Sequence, residues 1–446
     1  MRRKNTDELI EVAPLPKEPS PGSVFRRIRW ERLDNTAHMF PVIASEQTSN
    51  VFRISVTLRE LVDPELLQQA LDIVLPKFDG FNVRIRSGIF WHYFEENGKP
   101  APHVRIEKGF PCRYIRSSGN NSYLFKVSYF QYRINLEVFH VLADGMGAVN
   151  FLKELTYQYL RLKHEDLTDL CGNHLDHKTT LNLEDSFRKH CKKTARIKYA
   201  VDPAYLIKGE KLPAGEFGVM HGYLKLSELK PLCKRLGLTI NEYLVSVYVW
   251  SIYTEYLHSA PAKRPVRIAV PVNLRPYFKS ITTRNFFAII SAEFRVEEER
   301  YTFEDICRII QTKLRAQLRV DHLEEIFSYN VSCQQNPLLK TLPLPLKHLG
   351  MRFVYARSAL ANTSTVSNIG KIEVADAYKP YIELFHAFMA VSMGQHIKGT
   401  ICSFDDTLVF TFSYDLTDNS LQRGFFRKLV EDGLHVEVES NGVHYG

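Results

Sequence analysis

A strand-then-helix pattern that occurs twice along the chain constrains the fold more than any other feature. Residues 51–58 (VFRISVTL) alternate as a strand does, and residues 63–78 (DPELLQQALDIVLPKF) place apolar side chains at helical spacing. The pattern begins again at 218–226 (GVMHGYLKL), and 227–257 predicts two helical segments broken around Gly237. We therefore expect two structurally similar halves.

Short runs rich in β-branched and aromatic residues fill the rest of both halves and predict mixed sheets. These strands are expected within 81–98 and 123–140 in the first half and at 267–275, 286–294, 364–372, 399–404 and 407–415 in the second. The expected class is α/β with mixed sheets.

The chain of 446 residues is too long for one ordinary hydrophobic core, so two domains are expected. We place a disordered or extended, proline-rich tail at 1–22, an N-terminal half at 23–205 and a C-terminal half at 206–446. A polar stretch from about 164 to 215 predicts the crossover between the halves.

Composition limits the classes of partner and compartment. The net charge of +8 comes from scattered basic residues, which argues against a nucleic-acid binder and suits either a plain soluble surface or a coenzyme phosphate. Seven widely spaced cysteines argue against a disulfide framework and favour a reducing compartment, so a cytoplasmic location is expected. The most apolar stretch, from Tyr243, is too short and polar to span a bilayer, and the N-terminus lacks the apolar region of a secretory signal.

The segment FHVLADGMG at 139–147 carries the chemistry that stands out. In the preceding strand, Ile134, Leu136 and Val138 share one face with His140, which predicts an imidazole directed to the interior at the end of a buried strand. LADGMG is expected to turn the chain before a helix that starts near residue 148.

Two plainer interpretations stay open for this segment. His140 would then be a hydrogen-bonded core histidine. Asp144 would cap the helix, with Gly145 and Gly147 supplying turn conformations.

HVLADG resembles the HxxxDG core of the signature shared by coenzyme-A-dependent acyltransferases of the chloramphenicol acetyltransferase and condensation-domain superfamily. The order of elements around it is similar to the alcohol acetyltransferase-like branch. Three further stretches support the resemblance, which extends from about Trp30 to the C-terminus: WERLDNTAHMF at 30–40, EDSF at 184–187 and VPVNLRPYF at 270–278.

The resemblance implies two chloramphenicol-acetyltransferase-like domains with an active-site tunnel at their interface. His140 would be the general base that takes a proton from an acceptor hydroxyl or amine, and acetyl-CoA would be the co-substrate, with no bound cofactor and no covalent acyl-enzyme. Asp144 would pair with Arg275 of the other half and act through architecture, and Gly145 would permit a close approach. O-acetyl transfer to an alcohol is the expected reaction.

An oxyanion formed in such a reaction needs a preorganised donor. STVSNIG places four candidates near a strand end: Ser364, Thr365, Ser367 and Asn368. Ordinary strand and turn polarity is the alternative interpretation of these side chains.

The sequence departs from the family at two points. Phe139 stands where many members carry a first histidine, and the DFGWG signature of the plant branch is absent, which puts that branch and its substrates in doubt. Two other functions also stay open: a non-catalytic, condensation-like binding module, and acyl transfer from a carrier-protein thioester in place of free coenzyme A.

Two rival sites lie in the polar crossover. Cys171, His174 and His177 have a spacing that could bind zinc, and His190 and Cys191 follow them. Paired C-x-x-C ligands are missing, so solvated histidines are the favoured interpretation and no metal is expected. The basic group at 188–198 lacks stacking aromatics and is interpreted as a solvated helix face, without nucleic-acid binding.

Overall fold

The computed structural model describes residues 29–167, 181–192, 202–297, 300–335 and 340–442. Its strands are β1 (Trp30–Arg32), β2 (Val51–Leu58), β3 (Val83–Ser87), β4 (His92–Glu96), β5 (Arg105–Ile106), β6 (Phe125–Phe130), β7 (Arg133–Phe139), β8 (Gly218–Lys225), β9 (Val266–Asn273), β10 (Phe287–Phe294), β11 (Ser364–Lys371), β12 (Ile382–Met389), β13 (Ile397–Phe404), β14 (Thr407–Tyr414) and β15 (Val436–Ser440).

The α-helices in the described part of the chain are α1 (Phe40–Ile43), α2 (Pro64–Val74), α3 (Gly145–Lys163), α4 (Ser186–His190), α5 (Leu226–Leu236), α6 (Ile240–Glu255), α7 (Arg275–Phe278), α8 (Phe303–Gln317), α9 (Val320–Gln335), α10 (Leu344–Ala359) and α11 (Ser420–Glu431). The strands form three sheets with the orders β1-β4-β3, β12-β2-β7-β6-β5 and β10-β9-β11-β13-β14-β8-β15. Because β11 runs parallel to β9 and β13 while most other pairs are antiparallel, the mixed α/β class is confirmed.

The strand and helix pattern that occurs twice in the sequence reappears as β2 followed by α2, and as β8 followed by α5 and α6. Asp63 caps α2 by accepting hydrogen bonds from the Glu65 and Leu66 backbone. The predicted break at Gly237 is the left-handed residue that ends α5, with φ of 69°. Local signals thus set these boundaries.

Two hydrophobic clusters fill the fold, one around the five-stranded sheet and one around the seven-stranded sheet. The first cluster also includes residues from beyond position 370, because β12 pairs with β2 of the N-terminal half over the register Ile382↔Leu58 to Met389↔Phe52. The C-terminal part of the chain therefore completes the sheet that holds β7. The boundary between residues 205 and 206 stays a prediction.

Helix α3 begins earlier than the sequence indicated. The turn predicted for LADGMG is wrong in its second half, because Gly145 and Gly147 already lie in the first turn of α3. Asp144 ends the strand-to-helix connection and accepts a hydrogen bond from the Gly147 backbone, as the capping interpretation required. The helix can start there because this carboxylate satisfies one of its free N–H groups.

Candidate active site

His140 lies directly after β7, the central neighbour of β2 and β6. The side chains of Ile134, Leu136 and Val138 are fully buried, and the His140 backbone N–H donates to the Asn50 carbonyl at 3.0 Å. The packed strand and this backbone hydrogen bond therefore fix the position of the His140 backbone, from which the imidazole extends.

Aromatic rings enclose the His140 imidazole. Phe40 stacks on it with ring centroids 4.7 Å apart, Phe52 approaches edge-on at 5.0 Å, and Phe287 lies at 5.6 Å. Burial among these groups lowers the pKa of His140 from its ordinary value, and the nearby charge of Asp144 opposes part of that shift. The imidazole is therefore held in its neutral form at physiological pH.

A hydrogen-bonded chain fixes which nitrogen of His140 carries the proton. Asn285 donates through Nδ2 to the Asp34 carboxylate at 2.9 Å, so its Oδ1, 3.1 Å from His140 Nδ1, must accept. His140 Nδ1 therefore carries the hydrogen, and Nε2, which has no protein hydrogen-bond partner in the described part of the chain, keeps its lone pair.

Asp34 is itself held in place. Its other carboxylate oxygen accepts from the Ala37 backbone at 2.8 Å, and burial raises the pKa of the Asp34 carboxyl to about 6. Asn285 and Asp34 are site residues that were not among those predicted from the sequence. Asp34 lies inside WERLDNTAHMF, one of the stretches that carried the resemblance, whereas Asn285 had no signal beyond the start of a strand.

Asp144 and Arg275 form a two-point ion pair with N···O distances of 2.8 and 2.9 Å. Asp144 also accepts from the Phe286 backbone N–H at 3.0 Å, and Arg275 donates to the carbonyls of Thr282 and Arg284. Both side chains are mostly buried. The pair thus joins the start of α3 to the loop between α7 and β10 that carries Asn285.

The described crossover residues 181–192 support this loop from the other side. Thr282 donates its hydroxyl to the Glu184 carbonyl at 2.7 Å, and the Ser186 and Ser280 hydroxyls are 2.7 Å apart. Phe187 is fully buried with its ring 5.1 Å from that of Phe286. The EDSF stretch therefore braces the loop that positions Asn285.

The two glycines at the start of α3 differ in the space around them. A Cβ on Gly147 would lie 2.2 Å from the Thr283 backbone oxygen, which cannot move without shifting the loop. A Cβ on Gly145 would lie 2.5 Å from Ile369 Cδ1, the end of a flexible side chain. A close approach was expected at Gly145, but the space for a side chain is more restricted at Gly147.

A cavity of about 110 Å³ is lined by His140, Asp144, Gly145 and Arg275, together with residues of β9, β10 and β11. Of the four oxyanion candidates, the structure brings Ser367 and Asn368 to this cavity. Ser364 is fully buried and donates to the Ile397 carbonyl, and Thr365 donates to Gln395, so neither lines it.

The two cavity-lining candidates differ in how they are bonded. The Ser367 hydroxyl has no hydrogen-bond partner among the described residues. Asn368 accepts from the Gly370 backbone at 2.8 Å and contacts Asn241.

The rival sites are only partly visible. Cys171, His174 and His177 lie outside the described residues, and the described residues hold no group of three His, Cys, Asp or Glu side chains that could bind a metal ion. His190 packs against Phe278 and Phe286. Within the described ranges, no helix has the length and apolar character needed to cross a membrane.

No family model matches the sequence, and no curated sequence gives a significant match. Solved structures do match over nearly the whole chain, and they share the fold of coenzyme-A-dependent acyltransferases and condensation domains. This chain has that fold.

The trichothecene 15-O-acetyltransferase TRI3 from Fusarium sporotrichioides has 12% identity and a TM-score of 0.58, with 91% of this chain and 95% of TRI3 covered. TRI101 from the same organism, solved with coenzyme A and T-2, has 13% identity and a TM-score of 0.58 over 92% and 99%. The condensation domain of the monacolin K polyketide synthase MokA has 10% identity and a TM-score of 0.54 over 91% and 96%.

Proposed function

We propose that this protein is an acyl-CoA-dependent acyltransferase that transfers an acetyl group to an alcohol, with His140 as the general base. The observation that carries the proposal is a cavity-lining His140 whose Nε2 has no hydrogen-bond partner among the described residues, while its Nδ1 is bonded through Asn285 to Asp34. A core histidine with no chemical role would need neither the free nitrogen nor a fixed tautomer.

The reaction requires one proton acceptor and no covalent enzyme intermediate. His140 Nε2 takes the hydroxyl proton as the acceptor oxygen attacks the thioester carbonyl. The C–S bond of the tetrahedral intermediate then breaks, and the proton passes from Nε2 to the departing thiolate. The products are an ester and the free thiol of coenzyme A.

Ser367 is the proposed donor to the oxyanion. Ser367 lines the cavity and its hydroxyl has no hydrogen-bond partner among the described residues, whereas the Asn368 side chain is already hydrogen-bonded. A hydroxyl aimed at the developing charge would stabilise the transition state more than the planar thioester. Asp144 and Arg275 would act by holding the loop that carries Asn285.

A carrier-protein thioester is the second candidate donor, and the similarity to a condensation domain favours it. The chemistry at His140 would be the same, but the donor would be presented by a docked domain. Acceptor oxygen and nitrogen nucleophiles would both suit the base.

Mass spectrometry of reaction products tests the proposal. Wild-type protein is incubated with acetyl-CoA, a longer acyl-CoA or an acyl carrier protein, each with a panel of alcohols and amines. An acetylated alcohol formed from acetyl-CoA is the expected product. Acylation only from the carrier protein would show that a carrier-protein thioester, and not acetyl-CoA, is the donor. If no donor gave an acylated acceptor, the binding module would be favoured over the enzyme.

A further inference from the structure

A second cavity, of about 680 Å³, lies apart from the His140 cavity and shares no lining residue with it. Most of its lining comes from three separate parts of the chain. These are the β1-β4 edge of the small sheet, α4 of the crossover, and Lys340, which precedes α10 in the sequence. We call it the aromatic–basic cleft, defined by Trp30, Trp91, Tyr93, Arg32, Arg188 and Lys340, with two histidines beside them.

Aromatic rings form one part of the cleft. Trp30 is 65% exposed and meets Tyr93 edge-on, with ring centroids 6.5 Å apart. Trp91 is fixed by the Lys347 ammonium, which lies 3.5 Å from its ring centroid and donates to the Phe90 carbonyl at 2.9 Å. Both tryptophans line the same cleft, one exposed and one held by a cation, and such aromatic surface suits a flat apolar ring.

Positive charge forms the other part. Arg32 and Lys340 have no ion-pair partner among the described residues, and Arg188 is paired only with Asp185 on its own helix, at 3.1 Å. Among the described residues, no carboxylate lines the cleft. The charge of this lining therefore favours an anion, and the Arg32 guanidinium and the Lys340 ammonium can donate charged hydrogen bonds to it.

The two histidines of the cleft add neutral polar groups. Burial lowers the pKa of His38 to about 4 and also lowers that of His92. His92 Nε2 lies 3.1 Å from His348 Nε2, and its Nδ1 lies 3.1 Å from the Ser87 hydroxyl. These rings therefore shape the cleft, while the charge comes from the arginines and lysine.

We propose that the aromatic–basic cleft binds a planar aromatic anion. The ring would contact Trp30 and Trp91, and the anionic group would accept hydrogen bonds from Arg32 and Lys340. An aryl carboxylate has this chemistry. The inference stands on this cavity alone and does not depend on acyl transfer at His140.

Isothermal titration calorimetry with three probes tests the proposal on the whole protein. The probes are 2-naphthoate, neutral 2-naphthalenemethanol and non-aromatic cyclohexanecarboxylate. Saturable binding of 2-naphthoate is expected, with the neutral and the non-aromatic probes at least about tenfold weaker.

Three cleft variants locate the binding. Arg32→Gln and Lys340→Gln each remove one exposed cation, and Trp30→Ala removes an exposed ring, so the core is left intact. Each should weaken binding at least about tenfold. Lys230→Gln, an exposed cation on α5, is the matched control and should bind as the wild type does.

Two results would overturn the proposal. One is the absence of saturable binding of 2-naphthoate. The other is unchanged affinity in all three cleft variants, with circular dichroism showing the same helical content as the wild type.

Discussion

At the residue scale, His140 matters through the state of its two nitrogens. The bond from Nδ1 to Asn285 leaves the proton on Nδ1 and the lone pair on Nε2, and the Asp34 carboxylate keeps the Asn285 amide in the orientation that accepts this bond. The sequence predicted His140, Asp144 and Arg275, because a motif and a resemblance marked them. Asn285 was not predictable, because 145 residues separate it from His140 and only folding brings the two together.

The variant Asn285→Ala tests this positioning role. Its hydrogen bond raises the pKa of His140, so its loss should move the acidic limb of the kcat/KM profile to lower pH. It should also lower kcat by about tenfold to hundredfold with little change in KM, because the base is misoriented and binding contacts persist. A role in folding alone would leave the pH profile of the remaining activity unchanged, and that result would contradict the assignment.

The wild-type pH profile follows from the same environment. Burial lowers the pKa of His140, so the neutral, basic form is present above that pKa and is lost as pH falls through it. The kcat/KM values should therefore rise from acid pH to a plateau, with an apparent pKa below about 6.5. A midpoint clearly above that value would show that another group controls the rate.

At the element scale, the connection from β7 to α3 positions His140, the proposed base. Alternation in β2 and β7 and the helical period of α2 made these elements predictable, because their apolar faces are set by local sequence. The strand β12 was not predicted. IELFHAFM is a short apolar run without clear alternation, and its pairing with β2 spans more than 300 residues.

A pair of glycine variants tests the packing at the start of α3. Gly147→Ala places a methyl group against the Thr283 backbone and should destabilise the fold by about 1–3 kcal/mol. Gly145→Ala is the matched control, because the Ile369 side chain can rotate away. Urea unfolding measures both, and an equal or larger loss at Gly145 would contradict the proposed contact.

At the scale of the whole molecule, two hydrophobic clusters are joined by β12 and by the Asp144–Arg275 pair. The sequence predicted two halves from length and pattern. The pairing of β12, a strand from the C-terminal part of the chain, with β2 in the N-terminal half was not predicted. Pairing partners are set by the tertiary fold and not by local periodicity.

A double-mutant cycle tests the link between the halves. Asp144→Asn and Arg275→Met each leave one partner of a mostly buried pair uncompensated, and each should lower the free energy of unfolding on the order of 3–5 kcal/mol. The double variant should lose less than the sum of the two. The cycle is measured by urea unfolding, and additive losses would show that the two side chains stabilise the fold independently.

The most direct test of acyl transfer at His140 is thiol release from acetyl-CoA in the presence of an alcohol panel. Wild type, His140→Ala and the control His435→Ala, which alters an exposed histidine far along the chain, are compared at one pH. We expect acceptor-dependent release by wild type and the control, and a fall of about 10²–10⁴-fold in His140→Ala with its fold intact. Equal release by His140→Ala and wild type would contradict the role of His140 as the base.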